Sequence, residues 1–292
     1  MTPDTEPVVL ITGCSSGIGL RTALATAGAG LTTVATMRDP DRSAGLREAA
    51  AEAGVEIDVR RLDVTDETSV ADCVGAVVSA YGRLDALVNN AGIANTFPTV
   101  EMTDMATFRA GIEVNFLGVV AVTRAALPHL RAARGRVVTI GSSRGLIAQP
   151  FNEGYSAAKF AVEGFMESLA PVAAGVGVTV TMVEPGPVLE TAFAANAGVT
   201  RASLLADAGP YAPVLEPYLD WVVRTGWPGA QTATEVAEVV LRALTEPDPP
   251  LRIPTGDWVR EYAGRKFVDP EGREILALTR SWLARPEPDG AA

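Results

Sequence analysis

The apolar positions of this chain change period many times along its length. Short β-branched runs alternate with longer stretches in which apolar residues recur at helical spacing. Residues 8–12, 31–37, 55–62, 84–89, 136–140 and 176–183 read as strands, and 251–253 as a short last one. Residues 17–29, 43–53, 66–80, 105–133, 155–174 and 234–244 carry the helical period. The strands are almost continuously apolar, as expected when helices cover both faces of a parallel sheet. Repeated strand–helix units predict an α/β fold: a doubly wound parallel sheet in one domain spanning residues 1–292.

Beyond Pro185 the periodicity weakens. Residues 189–228 are richer in Pro, Gly, Tyr and Trp and predict a loop–helix lid over the site, a C-terminal extension of the domain. Thr232 or Thr234 is placed to cap the helix at 234–244. The Pro- and Ala-rich tail, 285–292, is expected to fray.

Composition then narrows the function. The chain has 292 residues, 48% of them hydrophobic, enough for a large core in one elaborated α/β domain. Its net charge of −11 opposes nucleic acid and anionic membranes as partners. Two cysteines, Cys14 and Cys73, do not make a disulfide framework, and a reducing compartment fits. The first seven residues have no signal-peptide features, and no uncharged apolar run reaches the ~18 residues of a membrane span. A cytoplasmic protein without a membrane partner is expected. The single histidine, His129, excludes most metal sites and any Ser–His triad lacking a well-placed base, so no metal is expected.

The most informative motif follows the first strand: Thr12-Gly13-Cys14-Ser15-Ser16-Gly17-Ile18-Gly19, then a helix. The glycines permit a tight turn and close approach of backbone amides to a pyrophosphate. The helix start adds unpaired N–H groups and partial positive charge. No Gly-Lys-Ser/Thr ending follows, so a nucleoside-triphosphate loop is not indicated.

Thr-Gly-x-x-x-Gly-x-Gly resembles the short-chain dehydrogenase/reductases, which have a Rossmann fold. Further motifs of that family follow in order. Asp63-Val64 resembles its adenine contact, and Asn89-Asn90-Ala91-Gly92 its motif after strand four. Asn115 matches its structural and relay asparagine, Ser142, Tyr155 and Lys159 its catalytic set, and Pro185-Gly186 the turn beside the nicotinamide. The resemblance covers roughly residues 8–193. It implies an oxidoreductase that moves a hydride between a nicotinamide cofactor and an alcohol–carbonyl pair. Cofactor contacts are then expected from Gly13, Ser15, Ser16, Gly17, Ile18, Gly19, Asp63, Val64, Asn90, Ala91, Gly92, Tyr155, Lys159, Pro185, Gly186, Val188 and Thr191.

The residues themselves suit that chemistry. Tyr155 and Lys159 stand four apart, on one helix face. A tyrosine ordinarily titrates near pH 10, and a nearby ammonium favours its phenolate, the form that takes a hydroxyl proton. Ser142, thirteen residues before Tyr155, ends strand five, where its hydroxyl can hold the substrate oxygen. Ser143 is its rival for that role. In the family Lys159 also binds the nicotinamide ribose, and Asn115 holds a water that relays protons to it. Cys14 and Cys73 are expected to be loop and helix residues without chemistry.

Relatives that prefer NAD place an acid at the end of strand two. That position here is Met37, and Arg38 follows at once, suited to a 2′-phosphate. Ser16 can add a hydrogen bond. Asp39 lies one position late and is expected to cap the turn at Pro40. NADP(H) is therefore expected, and NAD(H) less so.

Several stretches narrow the resemblance to the estradiol 17β-hydroxysteroid dehydrogenases and a photoreceptor-type retinol dehydrogenase. They are residues 11–20, Ala35-Thr36-Met37-Arg38-Asp39, residues 150–155, residues 159–164 and Glu184-Pro185-Gly186-Pro187-Val188. They imply a small hydrophobic ketone or alcohol as substrate. Leu146, Phe151, Val188, Phe193, Tyr211, Tyr218 and Trp221 are candidates to line its pocket, or simply to be core. The lid histidine of the steroid enzymes has no counterpart, and Thr191 comes one residue later than the family threonine. A polyketide or acyl ketoreductase is an alternative, as is a non-catalytic dinucleotide-binding regulator on the same fold. Many members of the family pair through two long helices, and the resemblance implies a homodimer or homotetramer; the small residues Ala157, Ala158, Ala161 and Gly164 would allow such close helix approach.

Overall fold

The computed structural model describes residues 6–94, 99–189, 200–269 and 271–283. The first half lays down β1 (Val8–Ile11), α1 (Gly17–Gly28), β2 (Thr32–Met37), α2 (Ala44–Ala53), β3 (Asp58–Arg61), α3 (Glu67–Tyr81) and β4 (Ala86–Asn89). Then come α4 (Met105–Ile112), α5 (Gly118–Ala133), β5 (Arg136–Ile140), the single turn α6 (Ser143–Leu146), α7 (Glu153–Ala174) and β6 (Thr179–Glu184). The last part holds α8 (Arg201–Asp207), α9 (Ala212–Thr225), α10 (Ala233–Thr245), β7 (Arg252–Pro254), α11 (Asp257–Val268) and α12 (Arg273–Trp282).

The seven strands form one parallel sheet in the order β3-β2-β1-β4-β5-β6-β7. The chain winds outward from β1 one way and returns to the other side of it through β4. In open α/β sheets, ligands bind beyond the strand C-termini at such a reversal. Alternate residues of each strand face opposite layers. Val8, Leu10, Leu87 and Val137 pack under α3, α5 and α7, while Val9, Ile11, Val88 and Val138 pack under α1 and α10. This is the continuous burial that the unbroken apolar runs predicted.

Local signals set the ends. Asp66 caps α3 by accepting the N–H groups of Thr68 and Ser69. Thr232, not Thr234, caps α10, and Glu235 returns the bond to the Thr232 backbone. Asp39 caps the turn at Pro40 by accepting the Asp41 N–H at 3.1 Å, as expected.

The structure differs from the sequence reading in three places. Strand three is only Asp58–Arg61, because it is the sheet edge and buries one layer poorly. The helix expected over 105–133 is continuous but carries a wider turn, Glu113–Leu117, between α4 and α5. This stretch is long and apolar enough to cross a membrane by composition, but Val119, Val122, Ala126 and Leu130 pack it onto the sheet. Helices α11 and α12 are two elements that the sequence reading did not assign. Of the residues left open between pocket and core, Leu146, Phe151 and Tyr218 are buried, and Phe151, Tyr218 and Trp221 join Tyr262 and Trp282 in an aromatic core between α9, α11 and α12. Tyr211 is turned away to Glu101, donating its hydroxyl at 2.6 Å. Phe193, Thr191 and residues 285–292 lie outside the described residues, as does part of the expected lid.

Candidate active site

The loop after β1 is held by its own backbone. Gly13 has φ +74°, a left-handed conformation natural to glycine, and a Cβ there would lie 2.7 Å from the Ala91 Cα. A Cβ on Gly19 would lie 2.3 Å from the Gly13 carbonyl oxygen. Asn90 Nδ2 donates to the carbonyls of Thr12 and Gly13 at 2.8 and 2.9 Å. Thr12 Oγ1 accepts the N–H groups of Asn90 and Ala91, both at 3.0 Å. Strand four thus braces the loop of strand one. The first turn of α1 carries no acid, and the Ser16 hydroxyl makes no capping bond to it. The helix start is therefore left for an anion.

From this loop a cleft of about 1030 Å³ runs along the strand ends. Gly13, residues 15–19, Arg38, Asp63, Val64, residues 90–92, Ser142, Tyr155, Lys159, Pro185, Gly186 and Val188 all line it. Asn115 does not. It sits in the wide turn between α4 and α5, where its Oδ1 accepts the Ile93 N–H at 2.8 Å and its Nδ2 donates to the Ile93 carbonyl at 3.0 Å. A π-type turn that seats one polar side chain is a common device at functional sites.

At the other end, Asp63 accepts both the N–H and the hydroxyl of Thr65. Burial raises its carboxyl, but these bonds and the nearby Arg38 and Arg61 outweigh it, so the net shift is downward. Met37 and Arg38 both line the cleft, so no carboxylate occupies the last position of β2.

Ser142 is the N-cap of α6, and its Oγ accepts the Arg144 N–H at 3.2 Å. Tyr155 and Lys159 are buried one turn apart on α7, with Lys159 Nζ 5.8 Å from the Tyr155 ring centre. Lys159 Nζ donates to the Ile140 carbonyl at 2.7 Å, which ties the ammonium to the end of β5. Ser143 is buried and does not line the cleft.

Two features escaped the sequence reading. The first is a pair of buried acids, Glu163 and Glu184, behind Ser142 and Lys159. Glu184 Oε2 accepts the Ser142 N–H at 2.6 Å. Glu163 Oε2 accepts from Arg252 Nε at 2.7 Å, and Arg252 also bonds Glu167. The remaining oxygen of each acid is buried without another hydrogen-bond partner. Burial raises the Glu184 carboxyl well above its ordinary range, and the neighbouring Glu163 raises it further. Both effects favour the protonated form of Glu184. Tyr155, Lys159 and Glu163 are spaced by four, a helical signal that was there to be read. The second feature is Arg144 with Trp227, both lining the cleft.

The sequence profile described as short chain dehydrogenase matches residues 7–202. This chain belongs to the short-chain dehydrogenase family. It is an oxidoreductase acting on CH–OH groups. It is similar to retinol dehydrogenase 8 of Bos taurus, 35% identical over 97% of this chain and 92% of that one. It is also similar to 17-beta-hydroxysteroid dehydrogenase type 1 of Homo sapiens, 37% identical over 92% of this chain and 83% of that one. Among solved structures, an actinorhodin polyketide ketoreductase with NADPH is 30% identical, with a TM-score of 0.69 over 85% of this chain and 93% of that one. A short chain dehydrogenase/reductase from Burkholderia phymatum in complex with NAD shares the fold at 24% identity. Its TM-score is 0.76 over 100% of both chains.

Proposed function

We propose that this short-chain dehydrogenase interconverts a hydrophobic secondary alcohol and ketone with NADP(H), using Ser142, Tyr155 and Lys159. The observation that carries the reading is convergence. The braced glycine loop, Arg38 and these three side chains line one cleft, although they come from four separate places: the ends of β1, β2 and β5 and the helix α7. The bare helix start of α1 and the crowding at Gly13 and Gly19 suit a dinucleotide pyrophosphate. Arg38 suits a 2′-phosphate, and the relative solved with NADPH supports the same choice.

When bound, the nicotinamide supplies or accepts the hydride. The protein's residues do the rest. The Ser142 hydroxyl holds the substrate oxygen, and the Tyr155 hydroxyl gives it a proton on reduction or takes one on oxidation. Lys159, fixed by Ile140, places positive charge beside Tyr155 and offers N–H groups to the ribose. Asn115 orients the Ile93 backbone and keeps the wide turn open. Val188, Leu189 and Trp227 give the substrate end an apolar wall. The names of the relatives point to steroid, retinoid and polyketide ketones as the first to try. Self-association through α7 belongs to the same proposal. Ala157 and Gly164 are exposed there, whereas Ala158 is buried against the core and is not part of that face.

The test is oxidation of NADPH, and separately of NADH, against a panel of bulky ketones. Turnover with NADPH that falls at least about 100-fold in Tyr155→Phe, with cofactor binding kept, is expected. Undiminished turnover in Tyr155→Phe would overturn the mechanism. Light scattering at micromolar protein checks the assembly.

A further inference from the structure

Away from the phosphate loop, the cleft holds a cation that the proposed chemistry does not use. Arg144 stands two residues after Ser142, in α6. Its guanidinium carbon lies 5.8 Å from the Tyr155 ring centre and 5.5 Å from that of Trp227. Its Nε donates at 2.8 Å to Oε1 of the buried Gln149, which fixes the orientation of the fork. Among the described residues, Arg60, Arg83, Arg201, Arg252 and Arg273 pair with acids, but no carboxylate pairs with Arg144. Its two terminal nitrogens make no hydrogen bond to the described residues. A half-buried guanidinium with free, oriented N–H groups is a receptor for a carboxylate, which it binds through two parallel hydrogen bonds.

Its position says which ligand it serves. Arg38 and Arg42 line the cleft with Asp63, toward the phosphate loop. Arg144 instead meets Tyr155 and Trp227, and its charge also reaches Tyr218 and Tyr262 of the aromatic core. That is the substrate end, beside the side chain that handles the substrate proton. The chain as a whole is acidic, with 35 acids against 24 lysines and arginines, so a lone cation here is a local choice.

We propose that Arg144 determines specificity, and that the natural ketone or alcohol carries a carboxylate close to its reacting carbon. Trp227 and the apolar wall hold the body of such a substrate, and the guanidinium holds its acid group. This rests on the oxidoreductase reading above and names the substrate class within it.

The experiment compares benzoylformate with its methyl ester, using NADPH and the wild type, Arg144→Gln and Arg144→Lys. The acid-to-ester ratio of kcat/KM is expected to fall at least tenfold in Arg144→Gln and less in Arg144→Lys. A charge-assisted hydrogen bond of about 1.5–3 kcal/mol corresponds to such a change. A ratio that stays within about twofold while both values fall together would show that Arg144 only packs the site, and would overturn the proposal. Calorimetry of benzoylformate binding to the NADPH-loaded Tyr155→Phe protein, with and without Arg144→Gln, gives a second readout. Binding that weakens tenfold with the second change supports the proposal; binding that does not respond overturns it. Failure of the oxidoreductase reading shows separately, as no turnover of either compound or of any ketone in the panel.

Discussion

The carboxyl of Glu184 accepts the backbone N–H of Ser142 at 2.6 Å, so the residue before Pro185-Gly186 holds the residue expected to bind the substrate oxygen. The contact joins the ends of β5 and β6. Gly141 makes it possible, since a Cβ there would lie 2.1 Å from Glu184 Oε1.

Because Glu184 is raised, the folded chain holds its proton more tightly than the unfolded chain, where a glutamate titrates near ~4.3. The stability from this proton is complete below that unfolded value and is lost as pH rises through the folded one. Glu184→Gln keeps a hydrogen-bonding group toward Ser142 and Glu163 without the titration. Its melting temperature relative to wild type should therefore increase with pH, as read by calorimetry from pH 5 to 9. Glu184→Leu leaves the Ser142 N–H unpaired, and should cost about 1–3 kcal/mol and lower kcat. A pH-independent difference between Glu184→Gln and wild type would contradict the raised Glu184 carboxyl.

Arg38→Gln should raise the KM for NADPH roughly 10-fold or more, the loss of a charge-assisted bond, and leave the KM for NADH nearly unchanged. Equal changes for both cofactors would place the 2′-phosphate elsewhere.

Gly19→Ala forces a methyl against the Gly13 carbonyl. The loop must shift, at about 1–3 kcal/mol, and NADPH binding should weaken strongly, measured by fluorescence titration. Gly28→Ala on the same helix, where nothing lies within 4 Å of the new Cβ, is the control and should bind normally.

The two thiols should be inert in the folded chain. Burial pushes Cys14 up to about 12 and Cys73 up to about 11. At pH 8 neither is expected to react with a thiol reagent within minutes, and both should react once the chain is denatured. Fast labelling of the native protein would mean that the loop after β1 or helix α3 opens readily.

The sequence by itself determined the layers and much of the cleft. Strand and helix periods are local properties, so Val8–Ile11, Gly17–Gly28 and Glu153–Ala174 could be read within a residue or two. Motif residues at strand ends, and in the first turns of the helix α7 that follows β5, are carried to the sheet's C-terminal edge by a doubly wound fold, which is why Gly13, Ser142, Tyr155 and Lys159 line one cleft. Only the tertiary structure decided the rest. Glu184 meets Ser142 across 42 positions and Arg252 meets Glu163 across 89, and no local period records such partners. The same holds for Phe151 and Tyr218, which are apolar enough for either a pocket or a core. Their burial is decided by helices α11 and α12, whose Tyr262 and Trp282 pack against them from far along the chain. Arg144 reads in the sequence as an ordinary surface arginine. It becomes a cation in the cleft only once Gln149, Tyr155 and Trp227 surround it.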